Sequence, residues 1–337
     1  MRTARLAGLL AGTLALTLTG CSSESQESPE PTSAPAPRVA EGCADAPEAN
    51  DATGTRTVTD TYLGDVEDVP AQPKRIVALW RVGSELADLC VVPVGQLDSE
   101  FVEEEIDPAT WANYKDIPVV GSYEGVDVEK LIELEPDLIL GMDHGGLSID
   151  YSEISDIAPT VILPIAEPTD VWKNYPQVAD LVGRASDYDS QSAAVDAQLA
   201  EIAEEFGETL GTLEVTSLNY ADQLYVDTSK SLTYERLDKA GFGYNSDYVT
   251  DPERYVLELA TENLADLAEQ DIIFFEADND GDPTPEVASV LEMESFKRLP
   301  AVKAGHVYPL ATGTTYTFDA AQEQIDDLRA AAEAFTQ

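Results

Sequence analysis

Trp80-Arg81 sets an indole beside a guanidinium directly after the apolar run Arg75-Ile76-Val77-Ala78-Leu79. The indole can cover an apolar ligand surface while the guanidinium donates to carbonyl, hydroxamate or carboxylate oxygens. This is recognition chemistry; the bland alternative is a Trp packed under a sheet and an Arg paired with one of many acids. Comparable positions follow the other apolar runs: Ser122 and Tyr123, then Met142, Asp143 and His144. In the second half they are Asp227 to Lys230, Glu276 to Asp280 and Thr312 to Tyr316, with Tyr225, Tyr234 and Arg236 close by in sequence. Tyr123 and Tyr316 can equally fill core edges, and Trp111 and Trp172 sit on helical patterns that point to packing.

Signatures of bond-making chemistry are missing. The sequence has no Gly-x-Ser-x-Gly elbow, no His-Glu-x-x-His, no Cys-x-x-Cys and no Gly-x-x-x-x-Gly-Lys. Two histidines, His144 and His306, are too few to surround a zinc or manganese ion, so no metal centre is expected. Glu276 to Gly281 begins like a calcium loop, but its closing carboxylate falls at position 11 instead of 12. A solvated acidic turn at a cleft rim fits it better.

The elements that must position these residues are short. Apolar runs at 75–79, 118–120, 137–140 and 160–163 alternate with helical patterns, which indicates a mostly parallel sheet covered on both faces. Val58 to Val69 reads as a leading hairpin or edge strand. A long amphipathic helix, Ser186 through Phe206, is predicted to end at Gly207 and to divide two lobes. After it come strands at 215–220, 224–226, 271–275 and 306–310, and a closing helix over Asp319 to Phe335. In open parallel sheets ligands bind beyond the carboxyl ends of strands, which selects the residues named above. Glu129-Lys130-Leu131 through Asp137-Leu138-Ile139-Leu140 and Glu262-Asn263-Leu264 through Asp271-Ile272-Ile273-Phe274 form a faint internal repeat, one copy per lobe.

The chain carries 19 Lys and Arg against 65 Asp and Glu, a formal charge of −46 over 337 residues. Basic residues so few and scattered do not make a phosphate-binding face, so no nucleic-acid partner is expected. Arg2 and Arg5, the apolar stretch Leu6 to Leu18 and then Leu18-Thr19-Gly20-Cys21 make an export signal over 1–20. Its apolar run is shorter than the about 20 residues of a spanning helix. Small residues followed at once by Cys resemble the lipobox of bacterial lipoproteins, which would make Cys21 the lipidated first residue on the outer face of the cell membrane. Residues 21–54 read as a disordered, Ser-, Pro- and Glu-rich tether. Cys43 and Cys90 remain; in an oxidising compartment they either pair or stay as a free thiol and a small buried side chain.

Pro73-Lys74-Arg75-Ile76-Val77-Ala78-Leu79, Glu85-Leu86-Ala87-Asp88-Leu89 and Pro93-Val94-Gly95 resemble the opening of the ferric-siderophore and cobalamin binding-protein family of ABC importers. Val120-Gly121, Asp127-Val128-Glu129-Lys130-Leu131, Glu135-Pro136-Asp137-Leu138-Ile139, Ile157-Ala158-Pro159-Thr160 and Leu299 through Tyr308 match in the same order, so the likeness spans about residues 56–335. It implies an α/β fold of two Rossmann-like lobes with mostly parallel sheets, at 55–185 and 209–337, bridged by one helix at 186–208. Ligand would sit between the lobes and pass to a membrane permease. The implied protein is a monomer, not an enzyme, and its ferric ion arrives inside the siderophore rather than as a cofactor. By the same resemblance Glu129 and Glu262, one per lobe, meet permease arginines; the alternative is a helix-dipole role. Cys90 stands where the family commonly has Gly, which favours the Cys43–Cys90 pairing. Strong acidity favours a neutral or cationic chelate, hence a hydroxamate siderophore over a catecholate, haem or cobalamin. An uncharacterised extracellular enzyme or a structural lipoprotein are the more distant readings.

Overall fold

The computed structural model describes residues 38–39, 53–101, 106, 110–278, 281–311 and 316–337. The export signal, Cys21, most of the tether, Cys43, Asn279, Asp280 and Thr312 to Thr315 lie outside them.

Strand β1 (Arg38–Val39) stands apart from the hairpin β2 (Thr55–Thr61) and β3 (Gly64–Pro70) that opens the body. The first lobe then runs β4 (Ile76–Ala78), α1 (Gly83–Asp88), β5 (Val91–Val92), β6 (Gly95–Leu97), β7 (Val119–Ser122) and β8 (Gly125–Val126). It continues with α2 (Val128–Glu133), β9 (Leu138–Asp143), α3 (Tyr151–Ser155), β10 (Thr160–Pro164) and α4 (Asp170–Leu181). Its six-stranded sheet has the order β10-β9-β4-β6-β7-β8, parallel except for the β7–β8 pair. Every residue of β4 and β9 is buried, as expected of strands covered on both faces. Asp127 caps α2 by accepting from the Lys130 amide, and Asp150 caps α3 by accepting from the Ser152 and Glu153 amides.

Helix α5 (Ala185–Leu210) links the lobes and packs against α4 on one side. The helix expected to stop at Gly207 runs three residues further, to Leu210, and is capped by Gly211. The close approach falls on Gly241 of the turn facing this helix: with a φ of 83° there, a Cβ would stand 3.0 Å from the Ala203 Cα and 3.2 Å from the Gly207 Cα.

The second lobe comprises β11 (Val215–Tyr220), β12 (Leu224–Asp227), α6 (Leu232–Lys239), α7 (Ser246–Val249) and β13 (Val256–Glu258). A 3-10 segment, Thr261–Glu269, leads into β14 (Ile272–Ala277), α8 (Pro285–Leu291), α9 (Pro300–Ala304), β15 (Val307–Ala311) and α10 (Phe318–Thr336). Its sheet order is β13-β12-β11-β14-β15, with β11, β14 and β15 parallel and β12 and β13 antiparallel. Here the sheet is more mixed than the alternating pattern implies. The link from β11 to β12 is only residues 221–223, enough for a hairpin but not for the crossover a parallel pair requires.

One apolar cluster runs through both lobes, from Leu138 and Leu163 through Leu199 and Ile202 of α5 to Phe274, Leu328 and Ala332. At its centre Trp172, Tyr175, Tyr188 and Phe318 pack with ring centroids 5.1–5.7 Å apart. The buried Asp88 carboxylate joins the lobes there, accepting from the Tyr175 hydroxyl at 2.9 Å and the Phe318 amide at 2.5 Å. Trp172 thus has the packing role expected of it.

Candidate functional site

Strand β4 delivers Trp80 and Arg81 to the carboxyl edge of the first sheet, and pairing persists past the strand, with the Met142 amide donating to the Trp80 carbonyl. Directly afterwards the chain turns sharply, Arg81 taking a left-handed φ of 65°. A non-glycine residue held there costs on the order of 1–3 kcal/mol unless its surroundings fix it. Glu100 does so: its carboxylate accepts from the amides of Arg81 at 3.2 Å, Val82 at 3.3 Å and Gly83 at 3.2 Å. Gly83 leaves room for this approach, since a Cβ would stand 2.1 Å from the Glu100 carbonyl oxygen.

Arg81 then extends over aromatic faces, its guanidinium carbon 5.3 Å from the Trp80 ring centroid and 6.0 Å from that of Tyr316. His144 meets the Trp80 indole edge-on at 4.9 Å. Together these residues border a cavity of about 190 Å³ lined by Trp80, Arg81, Glu85, Glu100, Tyr123 and Tyr316, with Gly83, Ser84, Ser99 and Val171. Tyr316 belongs to the second lobe and the rest to the first, so the hollow lies between them.

Its electrostatics are unusual for a chain so acidic. Burial pushes the Glu100 carboxyl up to about 7 and raises Glu85 well above the usual carboxylate range, with Glu100 and Asp88 both repelling Glu85. Across the cleft, burial lifts Asp227 to about 7. Burial also raises the Tyr316 phenol, which feels Arg81, Asp227 and Glu85 together. A larger hollow of about 650 Å³, bordered by Arg75, Val94 and Pro118, lies at the amino-terminal strand ends and contains none of the expected site residues. No cluster of metal-ligating side chains occurs among the described residues.

Of the residues expected at the site, Trp80, Arg81, Tyr123 and Tyr316 meet in the cavity and His144 supports one wall. Lys230 is not in the cavity lining but spans the lobes, its Nζ 3.6 Å from Glu167 of the first lobe and donating to the Glu253 carbonyl. Several are placed elsewhere. Met142 is fully buried, because alternation along β9 turns its side chain into the core. Arg236 is buried too, donating to Gln324 at 2.6 Å and lying 5.2 Å over the Trp172 ring, since its position on α6 faces α10 and α4. Tyr225 bonds Asp222 in its own hairpin at 2.7 Å, Tyr234 stacks edge-on with Tyr244, and Ser122 accepts from the Glu124 amide within a turn. Glu276 accepts from the Tyr220 amide at 3.1 Å. Glu85 and Glu100 escaped sequence reasoning. Glu100 follows the carboxyl end of β6, so the strand-end rule would have found it had that strand been recognised.

Glu129 and Glu262 are exposed and occupy the first turns of α2 and of the 3-10 segment. Cys90 is disulfide-bonded. Its φ of 59° is one glycine adopts freely, which explains why Gly suits this position. Strand β1 pairs antiparallel with β5, setting Val39 opposite Val91 beside Cys90.

Comparison with known proteins gives the geometry a context. The chain is 28% identical over 272 residues to the probable siderophore-binding lipoprotein YfiY of Bacillus subtilis, covering 75% of this chain and 79% of that protein. It is 25% identical over 313 residues to the iron(3+)-hydroxamate-binding protein YxeB of the same organism, covering 85% and 88%. Its fold matches the siderophore periplasmic binding protein from the fuscachelin gene cluster of Thermobifida fusca with a TM-score of 0.66 and 23% identity, over 79% of this chain and 98% of that one. The family model described as periplasmic binding protein matches residues 88–312, and the chain belongs to that family.

Proposed function

We propose that this chain is the solute-binding component of an ABC importer, held outside the cell membrane by lipid on Cys21. It captures a hydroxamate-type ferric siderophore between its lobes and delivers it to the permease. The carrying observation is Arg81, braced over Trp80 and facing Tyr316 from the opposite lobe at the carboxyl ends of the strands. A guanidinium so placed can donate to the chelate's oxygens while the aromatic faces cover its apolar skirt. Iron would remain coordinated by the chelate, with the protein touching only its outside. Support also comes from the names of the relatives, one of them an iron(3+)-hydroxamate-binding protein. Against a tris-catecholate, with its several negative charges, stands the chain's own formal charge of −46.

The reading carries three structural roles with it. Glu129 and Glu262 dock on the permease, one from each lobe. Cys43 is the partner of Cys90, supported by the run of β1 alongside β5 and by the chain having only three cysteines. The protein acts as a monomeric binder without catalysis.

Tryptophan fluorescence of the chain from residue 21 onwards, titrated in parallel with a ferric trihydroxamate, a ferric tris-catecholate, haemin and cobalamin, tests the proposal. Saturable sub-micromolar quenching by the trihydroxamate, lost in Trp80→Ala, is the expected outcome. Preference for another of the four would reassign the ligand, and no response to any would refute the siderophore reading.

A further inference from the structure

The cavity beside Arg81 is too small for a whole chelate. At about 190 Å³ it falls below the roughly 300–1000 Å³ typical of sites for drug-sized molecules, yet it is ample for the end of an alkyl chain. Its lining is mixed: Val171 and the Trp80 indole are apolar, while Glu85 and Glu100 bring carboxyl groups. The two acids differ in what they already do. Glu100 is engaged by three backbone amides. Glu85 is 2% exposed, and among the described residues its carboxyl takes a hydrogen bond from its own backbone, with Arg81 acting on it through space. A buried carboxyl with so little compensation is costly unless a cation joins it.

We propose that Glu85 is a specificity-determining residue that accepts a terminal ammonium group on the siderophore, so that the cleft selects a positively charged, amine-tailed ferric hydroxamate over its uncharged counterpart. The proposal rests on the hydroxamate reading above. In the bound state Arg81 meets the oxygens of the iron-binding core at the mouth of the cavity. The tail's methylenes run past Trp80 and Val171, and its nitrogen donates charge-assisted hydrogen bonds to Glu85. Burial raises Glu85 well above the usual carboxylate range, so entry of the ammonium goes with release of the carboxyl proton to solvent.

The test compares one linear ferric trihydroxamate ending in a primary amine with the same chelate N-acetylated at that amine, each titrated into the chain from residue 21 onwards by fluorescence. The two differ by one charge and a small cap. The amine form should bind at least tenfold more tightly, and Glu85→Gln should bring the two within about twofold of each other. Equal affinities in the unaltered protein overturn the role of Glu85 and leave the hydroxamate reading standing. Absence of binding by both chelates overturns the two together. A preference that survives Glu85→Gln in protein of normal circular dichroism assigns the charge to another group and defeats the proposal. If that variant fails to fold, Glu85→Asp, which draws the carboxyl back by one methylene, takes its place and should narrow the preference; an unchanged preference defeats the proposal.

Discussion

Three amides in succession, those of Arg81, Val82 and Gly83, converge on the Glu100 carboxylate, and the orientation of Arg81 depends on that convergence. Removing a buried acceptor leaves donors unsatisfied at about 1–3 kcal/mol. Glu100→Ala should therefore lower stability by an amount in that range and weaken ligand binding at least tenfold, measured by urea unfolding and by fluorescence titration. Unchanged affinity in a stably folded Glu100→Ala would show that the turn holds without it. Gly83→Ala attacks the same turn sterically, and overpacking of this kind costs about 1–3 kcal/mol. It should cut both stability and affinity. Much of the site was legible at this scale. Trp80, Arg81, Tyr123 and Tyr316 follow elements whose β-branched runs announce themselves, and the strand-end rule does the rest. Glu100 was not legible, because three residues of β6 make no periodic signal. Met142 and Arg236 misled for a common reason: sequence proximity to a strand end does not say which way a side chain points, and theirs point inward.

Among the elements, α1 and α10 are tied by the buried Asp88, whose carboxyl burial pushes up to about 7. A carboxyl with a raised range in the folded state keeps its proton where the unfolded chain has lost it. Its contribution to stability is thus fully present below about pH 4 and disappears as pH climbs through 7. Asp227 and Glu100 carry the same sign. The melting temperature should be higher at pH 5.5 than at pH 7.5 by several degrees, and calorimetry reads it directly. Asp88→Asn, which keeps an acceptor for Tyr175 and Phe318, should flatten that slope; an unaltered slope would exclude Asp88 as a source. Disulfide pairing is checked by thiol titration of denatured, unreduced protein, for which the Cys43–Cys90 assignment predicts no free thiol from either residue. Sequence patterning located the long α5 well and its end poorly. Glycine is a frequent helix terminator, yet the helix runs through Gly207 and is capped by Gly211, and only the second of two glycines four apart marks its end.

For the molecule as a whole, a formal charge of −46 dominates behaviour in solution. Self-repulsion of that size destabilises the compact state, and salt screens it with a Debye length of about 10 Å at 0.1 M. Raising sodium chloride from 0.05 to 1 M should increase the melting temperature by several degrees; a flat or falling trend would mean that the acids are solvated too far apart to interact. Reversing Glu129 and Glu262 together to Lys should abolish siderophore uptake by cells while leaving the affinity of the isolated protein intact. Retained uptake would remove both from the permease interface. The shared apolar cluster through α4, α5 and α10 leaves little slack between the lobes, which suits small relative movement.

The pairing of β1 with β5 and the crosslink at Cys90 have a mechanical side. Any pull arriving along the chain through Arg38 is taken up at the corner formed by α1 and β5, wholly within the first lobe. That corner borders the candidate cavity, since α1 lends Gly83, Ser84 and Glu85 to its wall, and it meets the second lobe where Asp88 accepts from the Phe318 amide. A pull at that end is therefore felt on the one helix that carries both the cavity acid Glu85 and the interlobe acid Asp88.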